Sequence, residues 1–225
     1  MGNKNSTNVY KGIEERKYYN VLRICAKTPE RLQVRGRVPY YPLHFACMHC
    51  APLFIIEAII NAAPEIAITQ DLSRNYPLHY ACWNGAHVDV IRLLLETAPS
   101  TARAMSATGN TPLMCGCFGR TLSTEAIILV IRAFPGALTV QNCNFRTPIE
   151  EVLNMENFPG KQEYLEALIH SPSYYESHAS EPINDIPTYN PIKDNNLTEN
   201  NILPSQVEFE TSYKSEETKH IDECF

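Results

Sequence analysis

The sequence predicts an all-α solenoid of stacked helix-turn-helix units with a disordered C-terminal tail. Three observations carry that reading: a segment that returns every 35 residues, a proline landmark that keeps the same step, and a change of composition after residue 172. Tyr41-Pro42-Leu43-His44-Phe45-Ala46-Cys47 returns as Tyr76-Pro77-Leu78-His79-Tyr80-Ala81-Cys82. It recurs 35 residues on as Thr111-Pro112-Leu113-Met114-Cys115-Gly116-Cys117, and more weakly, 36 further on, as Thr147-Pro148-Ile149-Glu150. Independently, Thr28-Pro29, Ala63-Pro64, Ala98-Pro99 and Phe134-Pro135 follow one another by 35, 35 and 36. Agreement of two registers defines a repeat, and units of this size bury a core only by stacking on one another.

In chain order, residues 1–7 form a flexible polar lead. A degenerate first repeat follows, with its outer helix expected over 18–27. In each later repeat a Pro-led apolar segment of about eight residues opens an inner helix, because proline lacks only an N–H that has no partner in the first turn. After a short break comes an outer helix, at 53–62, 87–97 and 123–133. These segments are apolar on more than one face, as Val90, Ile91, Leu93, Leu94 and Leu95 show, so each needs neighbours on both sides. The proline that follows is expected to stop the helix and lead into a polar turn or short hairpin. Repeats fill residues 8–172, about four to five in all.

Residues 173–225 contain no Gly and carry 11 acidic residues against 3 Lys, with only 16 hydrophobic residues. That composition cannot offset the entropy of ordering, so the segment is expected to be an acidic disordered tail. The net charge of the whole chain is -6; without the tail's -8 the body is +2, and residues 1–37 alone carry nine Lys/Arg against three Glu. An overall acidic balance excludes a strongly basic nucleic-acid binder as a whole-chain reading. The longest purely apolar run, 126–131, falls far short of the roughly 20 residues that span a bilayer. With a polar start in place of an apolar leader, the chain is expected in the cytosol or nucleus, its eight cysteines as thiols.

A period in the thirties, paired helices and a Pro-Leu-His opening together resemble the ankyrin repeat, with residues 76–96 the nearest match. Gly85, His87, Val88, Asp89, Val90 and the run 93–96 fall near that family's Gly-His turn and outer helix. The family's Thr-His capping pair is absent: Tyr41 and Tyr76 accompany the histidines, while Thr111 and Thr147 face Met114 and Glu150. Tyr cannot cap as Thr does, so the first two inner helices are expected to start less firmly. The resemblance implies a protein-binding adaptor or scaffold whose inner helices look into a concave groove. On that reading Met48, Trp83, Asn84 and Phe118 form a partner-binding row, and Arg37, Arg74, Asn75, Thr108 and Arg146 sit on the hairpins beside it.

No motif for chemistry competes. Cys47-Met48-His49-Cys50 with His44 lacks the second Cys/His pair a four-coordinate metal site needs, and Cys47, Cys82 and Cys117 share one repeat position where a small apolar residue packs. His44 and His79 read as structural histidines. The sequence therefore predicts no catalytic residues, no metal, no cofactor and no nucleic acid, but a monomer that binds another protein. The alternative is a lipid-tethered regulator at a cytoplasmic membrane face. Gly2 with Ser6 fits the myristoylation pattern, and because one acyl chain anchors only marginally, the basic N-terminal region would supply the second signal for peripheral membrane contact.

Overall fold

The computed structural model describes residues 7–34, 40–119, 121–156, 158 and 160–169. Gly2, Arg37 and the tail 173–225 lie outside the described residues. Among the described residues ten α-helices form five pairs: α1 (Thr7–Glu14) with α2 (Tyr18–Lys27), α3 (Pro42–Met48) with α4 (Leu53–Ala62), α5 (Pro77–Trp83) with α6 (Val88–Thr97), α7 (Pro112–Gly119) with α8 (Thr124–Ala133), and α9 (Pro148–Asn154) with α10 (Lys161–Ile169). Odd-numbered helices pack on one another in an inner row and even-numbered helices in an outer row, each helix also meeting its pair-mate. No strand occurs among the described residues.

Proline sets where the inner helices begin. Pro42, Pro77 and Pro148 stand in the first turn of α3, α5 and α9, and Pro112 opens α7. The outer helices start differently. Ser123 Oγ accepts the N–H of Ala126 at 3.3 Å, and His87 Nδ1 accepts that of Asp89 at 3.4 Å. Each of these contacts satisfies an amide that has no partner within its own helix.

The core lies between the two rows. Leu43, Ile55, Ile56, Ile59, Leu78, Ile91, Leu94 and Leu113 are fully buried. Burying one such side chain stabilises the fold by about 1.5–3 kcal/mol relative to leaving it in water. Cys47, Cys82 and Cys117 are fully buried at equivalent places on α3, α5 and α7. Burial pushes their thiols up, away from thiolate.

Two expectations need correction. Proline after an outer helix does more than end it. Pro29, Pro64, Pro99 and Pro135 each open a short 3-10 helix, Pro29–Gln33, Pro64–Ile68, Pro99–Arg103 and Pro135–Leu138. The residue before each proline is barred from helical geometry and takes φ near -150°, and the fixed φ of the proline then starts a new turn. These turns bury Leu32, Ile66, Ala102 and Leu138 and so extend the core.

The second correction concerns the start of α5. Tyr76 does not cap it as a Thr would, yet the first turn is closed from the other side: the Tyr76 N–H donates to His79 Nδ1 at 3.1 Å. At α9 a reciprocal pair forms. Thr147 Oγ1 accepts the Glu150 N–H at 3.4 Å, and Glu150 Oε2 accepts the Thr147 N–H at 2.8 Å.

Candidate functional site

Candidate residues come from two places, the ends of the inner helices and the hairpins between repeats. Met48, Trp83 and Phe118 occupy the same repeat position on α3, α5 and α7. Trp83 and Phe118 are half-buried, with ring centroids 5.7 Å apart and planes tilted by 35°. That separation lies in the range where aromatic pairs attract. Gly119 permits the approach of the two helices: a Cβ there would collide with the carbonyl oxygen of Trp83. That carbonyl also accepts from Thr121 Oγ1 at 3.4 Å. Asn84 is half-buried and donates through Nδ2 to the Tyr80 carbonyl at 3.0 Å. Met48 is only 8% exposed, so the apolar strip open to solvent is the Trp83–Phe118 pair rather than a row of three.

The hairpins repeat one design. Asp71, Ser106 and Asn142 each accept two backbone N–H groups through one side-chain oxygen: from Ser73 and Asn75, from Thr108 and Asn110, and from Asn144 and Arg146. Adjacent hairpins are then joined to each other. The Ala107 N–H donates to the Ser73 carbonyl at 2.9 Å, and the Cys143 N–H to the Thr108 carbonyl at 3.1 Å. Beneath two of the hairpins lies a buried polar pair. Tyr80 O–H donates to Asp71 Oδ2 at 2.6 Å, and Asn142 Nδ2 donates to Glu151 Oε1 at 2.8 Å. Burial raises the Asp71 carboxyl above its ordinary value even though several hydrogen bonds favour its charged form.

The buried histidines connect consecutive repeats. His44 Nε2 lies 3.0 Å from the Asn75 carbonyl, and His79 Nε2 lies 3.2 Å from that of Asn110. A carbonyl only accepts, so Nε2 carries the hydrogen in both rings. Burial lowers each imidazole to about 4, which keeps it neutral. Neither is placed to act as a base, because both are closed off from solvent.

Of the hairpin residues expected to meet a partner, Arg74 is exposed with φ 61°, and Arg146 is exposed and pairs with Glu151 at 3.6 Å. Thr108 is half-buried, its Oγ1 accepting from Asn110 Nδ2 at 2.9 Å. Asn75 is buried: its carbonyl meets His44 and its Nδ2 reaches Tyr80 Oη at 3.3 Å, so it braces the hairpin from within. Sequence reasoning missed Leu72, 66% exposed, and Phe145, 80% exposed. Phe145 stands where the other hairpins place Arg74 and Gly109, and all three have positive φ, 59°, 61° and 75°. A bulky residue there is held against its own preference by the surrounding turn. Counting the period forward from Gly109 would have flagged it.

Among the described residues no group of His, Cys, Asp or Glu is arranged to hold a metal ion, and no helix is long and apolar enough to cross a membrane. Paired helices in two rows, tied by hairpins that bond to one another, define a helical-repeat solenoid. Residues 38–134 match the family model of ankyrin repeats, in three copies. These residues are ankyrin repeats, and repeats of this family are generally protein–protein interaction modules. No curated protein matches the chain.

Proposed function

We propose that the protein is an adaptor or scaffold that binds a partner protein along its inner helices and hairpins, without carrying out a reaction. The observation behind this reading is the Trp83–Phe118 pair: two large rings, packed together across consecutive repeats and still partly open to solvent. Aromatic side chains bury much area for little lost entropy, which is why they dominate interface energetics. Arg74, Leu72 and Phe145 at the hairpins extend the surface. A seven-residue helix is about 10 Å long, so a partner reaching from a hairpin to the aromatic pair spans the length of one inner helix.

The test is affinity capture with quantitative mass spectrometry, comparing the wild-type chain with Trp83→Ala and Phe145→Ala. Trp83→Ala should weaken capture of the principal partner at least tenfold, in line with about 2 kcal/mol or more for a truncated anchor. Both variants should still melt cooperatively. Normal capture by both would remove the groove reading. Outright unfolding of Trp83→Ala would assign the ring to the core instead, leaving Phe145→Ala as the measure of the surface.

A further inference from the structure

The outward positions of a solenoid's outer helices face water and are expected to be polar. The register of the chain lets them be compared across repeats. Glu125 on α8 and Asp89 on α6 correspond to Phe54 on α4 and Tyr19 on α2, at steps of 36, 35 and 35. In the later repeats this row is charged, and Arg92 pairs with Glu125 at 3.6 Å. In the first two repeats it turns aromatic. Tyr19 is 78% exposed and Phe54 49%, with Tyr18 edge-on to the Phe54 ring at 5.8 Å.

Around these rings the charge is basic. Leu22, Arg23 and Lys27 are exposed on the same face of α2, which carries no acidic residue. Four carboxylates lie close by in the sequence or on the next helix. Glu15 is neutralised by Lys17 at 2.7 Å and Lys11 at 3.3 Å, which hold it below its ordinary range; Glu14, Glu30 and Glu57 are exposed. The chain as a whole is negative, so the concentration of nine Lys/Arg within residues 1–37 runs against the rest of the molecule.

We propose that the exposed face of α2, formed by Tyr19, Leu22, Arg23 and Lys27, docks on an anionic membrane surface. Basic residues are drawn to the negative leaflet, while exposed Tyr and Leu side chains settle at headgroup level. An acidic protein would satisfy the charges equally well. The lipid surface is favoured because the charges share one helix face with exposed Tyr19 and Leu22, an amphipathic arrangement whose apolar side chains enter the headgroup boundary. This contact is separate from the proposed groove, since it uses the outer helix of the first repeat.

The experiment is vesicle flotation with the purified, unacylated full chain, so that the face is read without help from a lipid tail. Vesicles of phosphatidylcholine alone are compared with vesicles containing about 30% phosphatidylserine, a strongly anionic surface. Binding is expected only to the anionic vesicles, and it should fall as salt is raised. The double variant Arg23→Glu, Lys27→Glu should lose roughly 30-fold or more in partitioning, at about fivefold for each basic residue removed. Tyr19→Ser, at a side chain that points outward, should weaken binding without moving the melting curve, and it decides the matter if the double variant melts early. Absence of binding at low salt, equal binding to both vesicle types, or unchanged binding by the variants overturns the proposal. Face-dependent binding to polyglutamate without vesicle binding overturns it as well and assigns the face to an acidic protein.

Discussion

At the residue scale, the two buried histidines make stability depend on pH. His44 and His79 titrate near 4 in the fold, against about 6.5 in the unfolded chain, so between those values the unfolded chain binds more protons. Their contribution is complete above about pH 6.5 and is lost as pH falls toward 4. Each shift corresponds to a differential on the order of 3 kcal/mol. Asp71, raised by burial, works in the opposite sense and offsets part of the loss. Calorimetry should show Tm lower at pH 5 than at pH 7.5, with the drop reduced in His79→Gln. An equal Tm at both values would mean that the rings are not buried in neutral form.

Between helices, the contact of α5 with α7 is set by the absence of a side chain. Gly119→Ala drives a methyl into the backbone carbonyl of Trp83, which belongs to another helix and cannot step aside. Overpacking of this kind costs about 1–3 kcal/mol. Gly116→Ala makes the fair comparison, because its new methyl meets the Leu122 side chain at 2.7 Å, and a side chain can rotate. Thermal melting should show a larger loss for Gly119→Ala than for Gly116→Ala, by several degrees; the reverse order would mean that the helices separate easily.

The same elements show what was legible in the sequence. Helix α2 and the outer helices could be read from the 35-residue step, because a strict period fixes the phase of every element at once. The 3-10 helices were not legible, since a proline after a helix can either end one turn or begin another. Nor were the buried pairs Asp71–Tyr80 and Asn142–Glu151. Each repeat solves that site with different residues, so the complementarity lies in the pair and not at either position alone. For Met48, the register gave the direction of the side chain, whereas its burial depends on neighbouring chain that the register does not describe.

At the scale of the whole molecule, each helix pair leans only on its neighbours, so stability is a sum of local terms and the ends have fewer of them. Hydrogen exchange should find the slowest amides in α5 and α7 and the fastest in α1 and α10. Uniform protection would instead mean that the solenoid opens all at once.

The histidine links also give the molecule a direction under load. His44 and His79 each clip one repeat to the hairpin of the next, but Met114, at the same position on α7, is a thioether side chain with no hydrogen to donate. A pull along the solenoid axis therefore meets a weaker seam after α7 than before it. The C-terminal pair would peel away first while the first four stay engaged, and each repeat released would lengthen the chain by roughly 120 Å. Attached to a moving partner at one end, the protein would yield in steps from its C-terminal side.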